Sequence, residues 1–146
     1  MQHLRLKKDL VICTVDGENP YRWLRDLPEK MHEADLVVVK GPKVAGVEGV
    51  RVKMVPKKNF DGKVAIFCGI GKPDQFRKSV LGEVVHELIL RDHEEVGVER
   101  LKRFCQESVE RGAKMLLCTE KDMVKLTGYP KMSLPIEALE MELQLV

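Results

Sequence analysis

Three short polar segments carry the residue types and spacings that could do chemistry in this sequence. Each directly follows an apolar run typical of a buried strand; the segments are the glycine turn Gly69–Pro73, the pair Asp92-His93 and the stretch Thr119–Asp122. A glycine turn between a strand and a helix presents backbone N–H groups that can bind an anion. Gly69 and Gly71 are therefore predicted to contact a nucleotide or another phosphorylated ligand. A plain strand-to-helix connection remains the alternative, because CGIG lacks the GxGxxG spacing.

The adjacent Asp92 and His93 suit acid–base chemistry or contact with a phosphate, since a carboxylate can orient a neighbouring imidazole. A solvated loop pair without a function is the alternative. His86 lies within a strand-like run, and its position favours a structural role.

The segment Thr119–Asp122 resembles a helix N-terminus, with Thr119 as the N-cap and Asp122 three residues later, as in a capping box. Lys121 fits that pattern less well, because a cation in the first turn opposes the helix dipole. Its presence indicates an anionic ligand near the loop, while a cap with no ligand remains the alternative.

Composition limits the kind of protein. The chain has 146 residues, 44% of them apolar and 33% charged, with a formal net charge of +2. These values predict a folded globular protein with no nucleic-acid partner, and the strand and helix patterns described below predict a single α/β domain over residues 1–146. The four cysteines show no CxxC spacing, so we expect buried thiols in a reducing compartment and no metal site. With no apolar run of roughly 18–20 residues and no signal peptide, the expected location is cytoplasmic, at most peripheral to a membrane.

The strand and helix patterns predict how the polar segments are positioned. Five buried-type runs, at residues 9–15, 35–40, 63–68, 84–90 and 114–118, alternate with helical segments, the clearest of which spans residues 98–111. This alternation predicts a layered, mostly parallel sheet with flanking helices. The alternating tail at residues 139–145 predicts an antiparallel strand at the sheet edge. Ligands of such sheets bind beyond the carboxyl ends of the strands, which is where the three polar segments fall.

Five segments in order resemble the tetraacyldisaccharide 4'-kinase family, the ATP-dependent kinases of lipid A biosynthesis. They are QHLRLKKDLVICTVD, EADLVVVKG, VAIFCGIGKPDQF, RDHEEV and LLCTEKDMVKL. The chain departs from the family pattern at Lys72, Arg91 and Glu94, and a glycine-rich stretch of the family is shortened here to NPYRWLRDLPEK.

The resemblance implies a P-loop-kinase-like fold and transfer of the ATP γ-phosphate to the 4'-hydroxyl of an acylated disaccharide lipid. It implies ATP and Mg²⁺ as ligands, contact with the cytoplasmic face of the inner membrane, and substrate contacts at Gln2 and His3. It covers the C-terminal half of the family pattern. The P-loop, the catalytic base and the acidic metal-binding pair belong to the other half, so we expect a fragment that is inactive alone.

Two other functions stay open at this point. The chain could be a standalone nucleotide- or phosphosugar-binding module without catalysis. It could also be a structural partner that completes a kinase made of two chains.

Overall fold

The computed structural model describes residues 9–20, 28–58, 60–91 and 94–146. Eight strands lie within these residues: β1 Ile12–Asp16, β2 Leu36–Lys40, β3 Val50–Pro56, β4 Lys63–Cys68, β5 Glu83–Ile89, β6 Met115–Cys118, β7 Ile136–Ala138 and β8 Met141–Leu145. The α-helices of the same residues are α1 Pro73–Ser79, α2 Val98–Glu110 and α3 Glu120–Lys125, and a short 3-10 helix spans Pro28–Glu33.

The chain divides into two compact units. One contains the described residues up to Val55 together with Leu143–Val146, and the other is Pro56–Glu142. The single domain predicted over residues 1–146 stays a prediction.

The unit Pro56–Glu142 is built on a parallel sheet with the strand order β5-β4-β6-β7. The interior strand β4 is buried from Val64 to Cys68, as its unbroken apolar run predicts. Alternate side chains of β4 enter two different cores. Ala65 and Phe67 pack with α2, whereas Val64 and Ile66 pack with Phe76 of α1. Strand β4 is therefore covered by a helix on each face, and it leads directly into the glycine turn.

Helix α2 confirms the predicted helix to within one residue at its C-terminus, and Gly112 follows with a φ of 86°. The apolar spacing of the sequence predicts a buried stripe of Val98, Leu101, Phe104, Cys105 and Val109, and the structure differs from it at one position. Val109 is 46% exposed, and Ser108 is buried instead. Spacings of three and four residues lead from Leu101 through Cys105 to Ser108, which keeps one face of a 3.6-residue period, while Val109 turns away from it.

Burial of Ser108 is tolerated because its hydroxyl is fully hydrogen-bonded. It donates to the Phe104 carbonyl oxygen at 2.6 Å and lies 2.9 Å from Nδ1 of His86. Since the hydroxyl proton goes to Phe104, Nδ1 of His86 is the donor toward Ser108. His86 thus links β5 to α2, which is the structural role that its strand position predicts.

The second sheet has the order β1-β2-β3-β8, with β1, β2 and β3 parallel. Backbone hydrogen bonds join Val146 to Arg51 and Lys57 to Glu140, so residue numbers rise along β3 where they fall along β8. Strand β8 is therefore antiparallel to β3 at the edge of the sheet. The predicted α/β class and its antiparallel edge strand are confirmed. The expectation that the first strand is buried was wrong, because Val15 is the only buried residue of β1.

Candidate functional site

The candidate site forms where β4 and β6 end side by side. These parallel neighbours pair Phe67 with Cys118, and the residues that directly follow the two strands, Gly69 and Thr119, therefore emerge at the same edge of the sheet. Thr119 is the N-cap of α3, and its Oγ1 accepts a hydrogen bond from the Asp122 N–H at 3.1 Å. The predicted cap is therefore present at the predicted residue.

Asp122 joins the two loops. Its side chain is buried, with only 1% of the residue exposed. Oδ2 accepts hydrogen bonds from the Gly69 N–H at 3.0 Å and the Thr119 hydroxyl at 2.7 Å, and Oδ1 accepts one from Lys125 Nζ at 3.2 Å. We call Asp122 with these three partners the Asp122 clamp. A buried carboxylate needs such donors, since an unpaired one would cost several kcal/mol.

The space around Gly69 is narrow. A Cβ at this position would lie 3.3 Å from Asp122 Oδ1 and 3.5 Å from both the Glu94 carbonyl oxygen and Leu90 Cβ. Gly69 does not have a positive φ. The close approach of Asp122, and not a left-handed backbone, therefore favours glycine at this position.

Glu94 holds the loop after β5 and was not predicted as a site residue. One carboxylate oxygen accepts from the Arg91 N–H at 2.8 Å, and the other accepts from Arg100 Nη1 at 2.7 Å. The Arg91 N–H, followed by the Arg100 guanidinium, lowers the pKa of Glu94 below its ordinary value. The sequence signal was an acidic residue three positions after Arg91, which suits a local side-chain-to-backbone bond.

The structure brings Gly69, Thr119 and Asp122 together, and Lys125 joins them as a residue that the sequence reasoning missed. Its signal was the spacing of three residues from Asp122 on one helix. Gly71 is exposed in the turn after β4, and Lys121 is exposed in the first turn of α3. The other predicted site residues, Gln2, His3, Asp92 and His93, lie outside the described residues. For all nine residues that the sequence analysis assigned to a site, which do not include Lys125, a role in binding stays a prediction.

The thiols of Cys68 and Cys118 lie near the Asp122 clamp, at the strand ends that precede Gly69 and Thr119. Burial, and then the nearby Asp122 carboxylate, raises the pKa of Cys68 to about 11 and that of Cys118 to about 12. Cys105 is also buried, while Cys13 is only half-buried. In the described part of the chain, no three His, Cys, Asp or Glu side chains come together in a way that could hold a metal ion.

The sequence profile of one family, described as LpxK, tetraacyldisaccharide-1-P 4'-kinase, matches residues 1–145. The chain belongs to this family. Among its curated relatives, the tetraacyldisaccharide 4'-kinase of Chlamydia pneumoniae is 32% identical over 98% of this chain and 49% of the relative. That of Chlamydia muridarum is 29% identical over 97% of this chain and 48% of the relative. The chain thus spans about half the length of these kinases, and it matches their C-terminal half.

A solved structure has the same fold. LpxK from Aquifex aeolicus, crystallised in complex with ATP, superposes with a TM-score of 0.60 at 20% identity, covering 99% of this chain and 51% of that one. This likeness confirms that the present α/β fold is the corresponding part of a P-loop kinase fold.

Proposed function

We propose that residues 1–146 supply part of the nucleotide site of a tetraacyldisaccharide 4'-kinase, an enzyme that transfers the γ-phosphate of ATP to the 4'-hydroxyl of an acylated disaccharide. The observation that carries the proposal is the Asp122 clamp. In a chain of this family, it ties together two loops at the carboxyl ends of neighbouring parallel strands, where such sheets bind ligands.

The clamp positions the loops, while other groups on them contact the nucleotide. The Gly69 N–H is already bonded to Asp122 at 3.0 Å, so it is satisfied without a phosphate. A buried carboxylate would also repel phosphate oxygens at close range. We therefore assign direct contact to exposed groups of the same loops, the backbone at Gly71 and the ammonium of Lys121, and to His93 with Asp92 orienting it.

The two ligands implied by the family fit this chain differently. The segments Gly69–Pro73 and Thr119–Asp122 offer the exposed Gly71 and a helix N-terminus with the exposed Lys121, groups that suit a phosphate. For Mg²⁺, the described residues assemble no set of three acidic or imidazole ligands. We therefore propose that these residues take part in holding ATP, and that the metal is held by an acidic pair elsewhere in the kinase.

Residues 1–146 contain no GxxxxGK[ST] segment, which cradles the β- and γ-phosphates in P-loop enzymes. We expect the purified 146-residue chain with Mg²⁺, radiolabelled ATP and the acylated disaccharide to give no phosphorylated lipid above the blank. Saturable turnover by this chain would refute the assignment of the phosphate cradle to the other half.

The contribution of His93 is tested in a kinase completed with the half that this chain does not match. His93→Ala should lower kcat/KM for ATP by roughly tenfold to a hundredfold, because one charge-assisted hydrogen bond is lost, with little change in Tm. His86→Ala is the matched control, and we expect it to lower Tm first, since His86 bonds Ser108 in the core. Normal kinetics with a lowered Tm for His93→Ala would make His93 structural.

The lipid acceptor implies peripheral contact with the cytoplasmic face of the inner membrane. No helix within the described residues is long and apolar enough to cross a membrane. Attachment by this part of the chain would therefore use surface groups, and Gln2 and His3 are the positions that we propose to lie near the acceptor. Sedimentation of the chain with vesicles of anionic lipid measures that contact; recovery of the chain entirely in the supernatant would contradict it.

A further inference from the structure

The connection between β5 and α2 is anchored at both ends in the core of the unit Pro56–Glu142. At its start, Leu90 is buried, and its N–H donates to the Cys68 carbonyl oxygen at 2.8 Å. At its end, Val96 is buried, and its carbonyl oxygen accepts a hydrogen bond from the Tyr129 hydroxyl. The connection therefore leaves the sheet and enters the helix at fixed points.

Glu94 adds a third restraint between the two anchors. Its carboxylate accepts hydrogen bonds from the Arg91 N–H at 2.8 Å and from Arg100 Nη1 at 2.7 Å. A backbone hydrogen bond of 2.9 Å, from the Glu94 N–H to the Arg91 carbonyl oxygen, joins the same two residues a second time. We call Glu94 with Arg91 and Arg100 the Glu94 tether. It links the start of the connection to the first turn of α2.

Global stability does not explain the Glu94 tether. The side chains of Glu94 and Arg100 are 35% and 45% exposed, and ion pairs this accessible contribute little to folding. Arg100 is also the third residue of α2, where a cation opposes the helix dipole. Arg91 and Glu94 are both positions at which the chain departs from the family pattern. The tether is therefore a feature of this chain, and a local role at this point of the surface accounts for it better than stability does.

The Glu94 tether lies beside the candidate site. The Glu94 carbonyl oxygen is 3.5 Å from the position that a Cβ on Gly69 would take, and the Gly69 N–H is bonded to Asp122. The connection after β5 therefore approaches the turn after β4 next to the Asp122 clamp. Asp92 and His93 directly precede Glu94 in the sequence. Because consecutive Cα atoms are about 3.8 Å apart, holding Glu94 limits how far these two residues can lie from the clamp.

We propose that Glu94 is a positioning residue for the nucleotide: the Glu94 tether holds the β5–α2 connection beside the Asp122 clamp, so that His93 is presented to ATP. The inference rests on the proposed function, in which His93 contacts the nucleotide. Glu94 is assigned no contact with ATP, since both of its carboxylate oxygens accept hydrogen bonds and a carboxylate repels phosphate. Loss of the tether should lower the affinity for ATP by releasing the connection, without unfolding the chain.

The direction of the effect separates positioning from simple charge. Removing a carboxylate near a bound polyanion tightens binding if charge alone matters, whereas losing a positioning contact weakens it. Glu94→Ala and Glu94→Gln remove the same charge, but the glutamine amide oxygen can still accept hydrogen bonds from Arg91 and Arg100. We expect Glu94→Ala to weaken ATP binding about three- to tenfold, and Glu94→Gln to stay within about twofold of the wild type.

The experiment titrates the ¹⁵N-labelled 146-residue chain and its variants with ATP, and obtains the dissociation constant from amide chemical shifts. The Tm of each variant checks folding, and that of Glu94→Ala should change little. Glu95→Ala is the matched control, because Glu95 is an exposed carboxylate of the same connection and is not part of the tether. Its affinity for ATP should equal or slightly exceed that of the wild type. A loss of affinity in Glu95→Ala as large as that in Glu94→Ala would overturn the inference.

A double-mutant cycle shows whether Glu94 acts through His93. In the His93→Ala background, Glu94→Ala should cause no further loss of ATP affinity, because the group that it positions is already absent. A further loss equal to that in the wild-type background would overturn the inference, and so would unchanged or tighter binding by Glu94→Ala alone. These outcomes leave the proposed function in place. If the wild-type chain binds no ATP, or His93→Ala binds it as well as the wild type, the assigned nucleotide contact fails and this inference fails with it.

Discussion

Replacing Asp122 by alanine is the sharpest perturbation of the site. The carboxylate accepts three hydrogen bonds, from the Gly69 N–H, the Thr119 hydroxyl and Lys125, and it is 1% exposed. Removal leaves the Gly69 N–H without its acceptor and the Lys125 ammonium, whose side chain is 29% exposed, without its counter-charge. Breaking a buried pair of this kind costs about 3–5 kcal/mol. Asp122→Asn keeps an acceptor oxygen for Gly69 and should cost less.

The assay is urea unfolding of the chain, combined with hydrogen exchange at the Gly69 amide. A loss of about 3–5 kcal/mol in the free energy of unfolding corresponds to a fall in Tm of roughly 10 °C for a chain of this size. The Gly69 amide should exchange faster in both variants, with Asp122→Ala the faster of the two. Glu120→Ala is the control, because Glu120 is exposed in the same helical turn. The reasoning fails if Asp122→Ala unfolds within about 0.5 kcal/mol of the control.

Two further predictions concern single residues. Gly69→Ala should destabilise the chain by about 1–3 kcal/mol, because its Cβ would lie 3.3 Å from Asp122 Oδ1. Gly97→Ala meets nothing within 4 Å and loses only the preference for glycine over alanine at the N-cap of α2, so it should cost less. Equal unfolding curves for the two variants would contradict this. Burial, followed by the Arg111 charge, lowers the pKa of His86 below 6.5, so the folded chain takes up this proton less readily than the unfolded chain. Stability linked to His86 is therefore complete above about pH 6.5 and falls as the pH drops toward the lowered value. In His86→Gln this part of the pH dependence should disappear, and an unchanged pH profile would disprove the linkage.

The interior of the unit Pro56–Glu142 could be predicted from the sequence, because burial and helix capping strongly restrict which residues occur there. The unbroken run at 63–68 can be satisfied only by burial on both faces, and the structure makes it the interior strand β4. The role of Thr119 as an N-cap could also be predicted, since an N-cap satisfies N–H groups that are unpaired at the start of every helix. The span of helix α2 could be predicted from its apolar period, although Ser108 is buried in the place where Val109 was expected.

The remaining features depend on contacts between distant segments. The Asp122 clamp spans 53 residues between Gly69 and Asp122, and a capping-box pattern accounts for Asp122 locally without indicating that partner. The exposure of β1 could not be predicted either. Its sequence carries the apolar residues of a strand covered on both sides, and only the three-dimensional packing shows which side is open.

The most direct test of the proposed nucleotide site is a titration of the ¹⁵N-labelled chain with ATP, followed by amide chemical shifts. We predict that the shift changes concentrate in the loops Gly69–Pro73 and Thr119–Lys121 and at His93, and that Lys121→Ala weakens them. The groove between Tyr129 and Ile136, with a volume of about 730 Å³, should remain unchanged. Shift changes confined to that groove, or none in the two loops at saturating ATP, would contradict the assignment of these loops to the nucleotide.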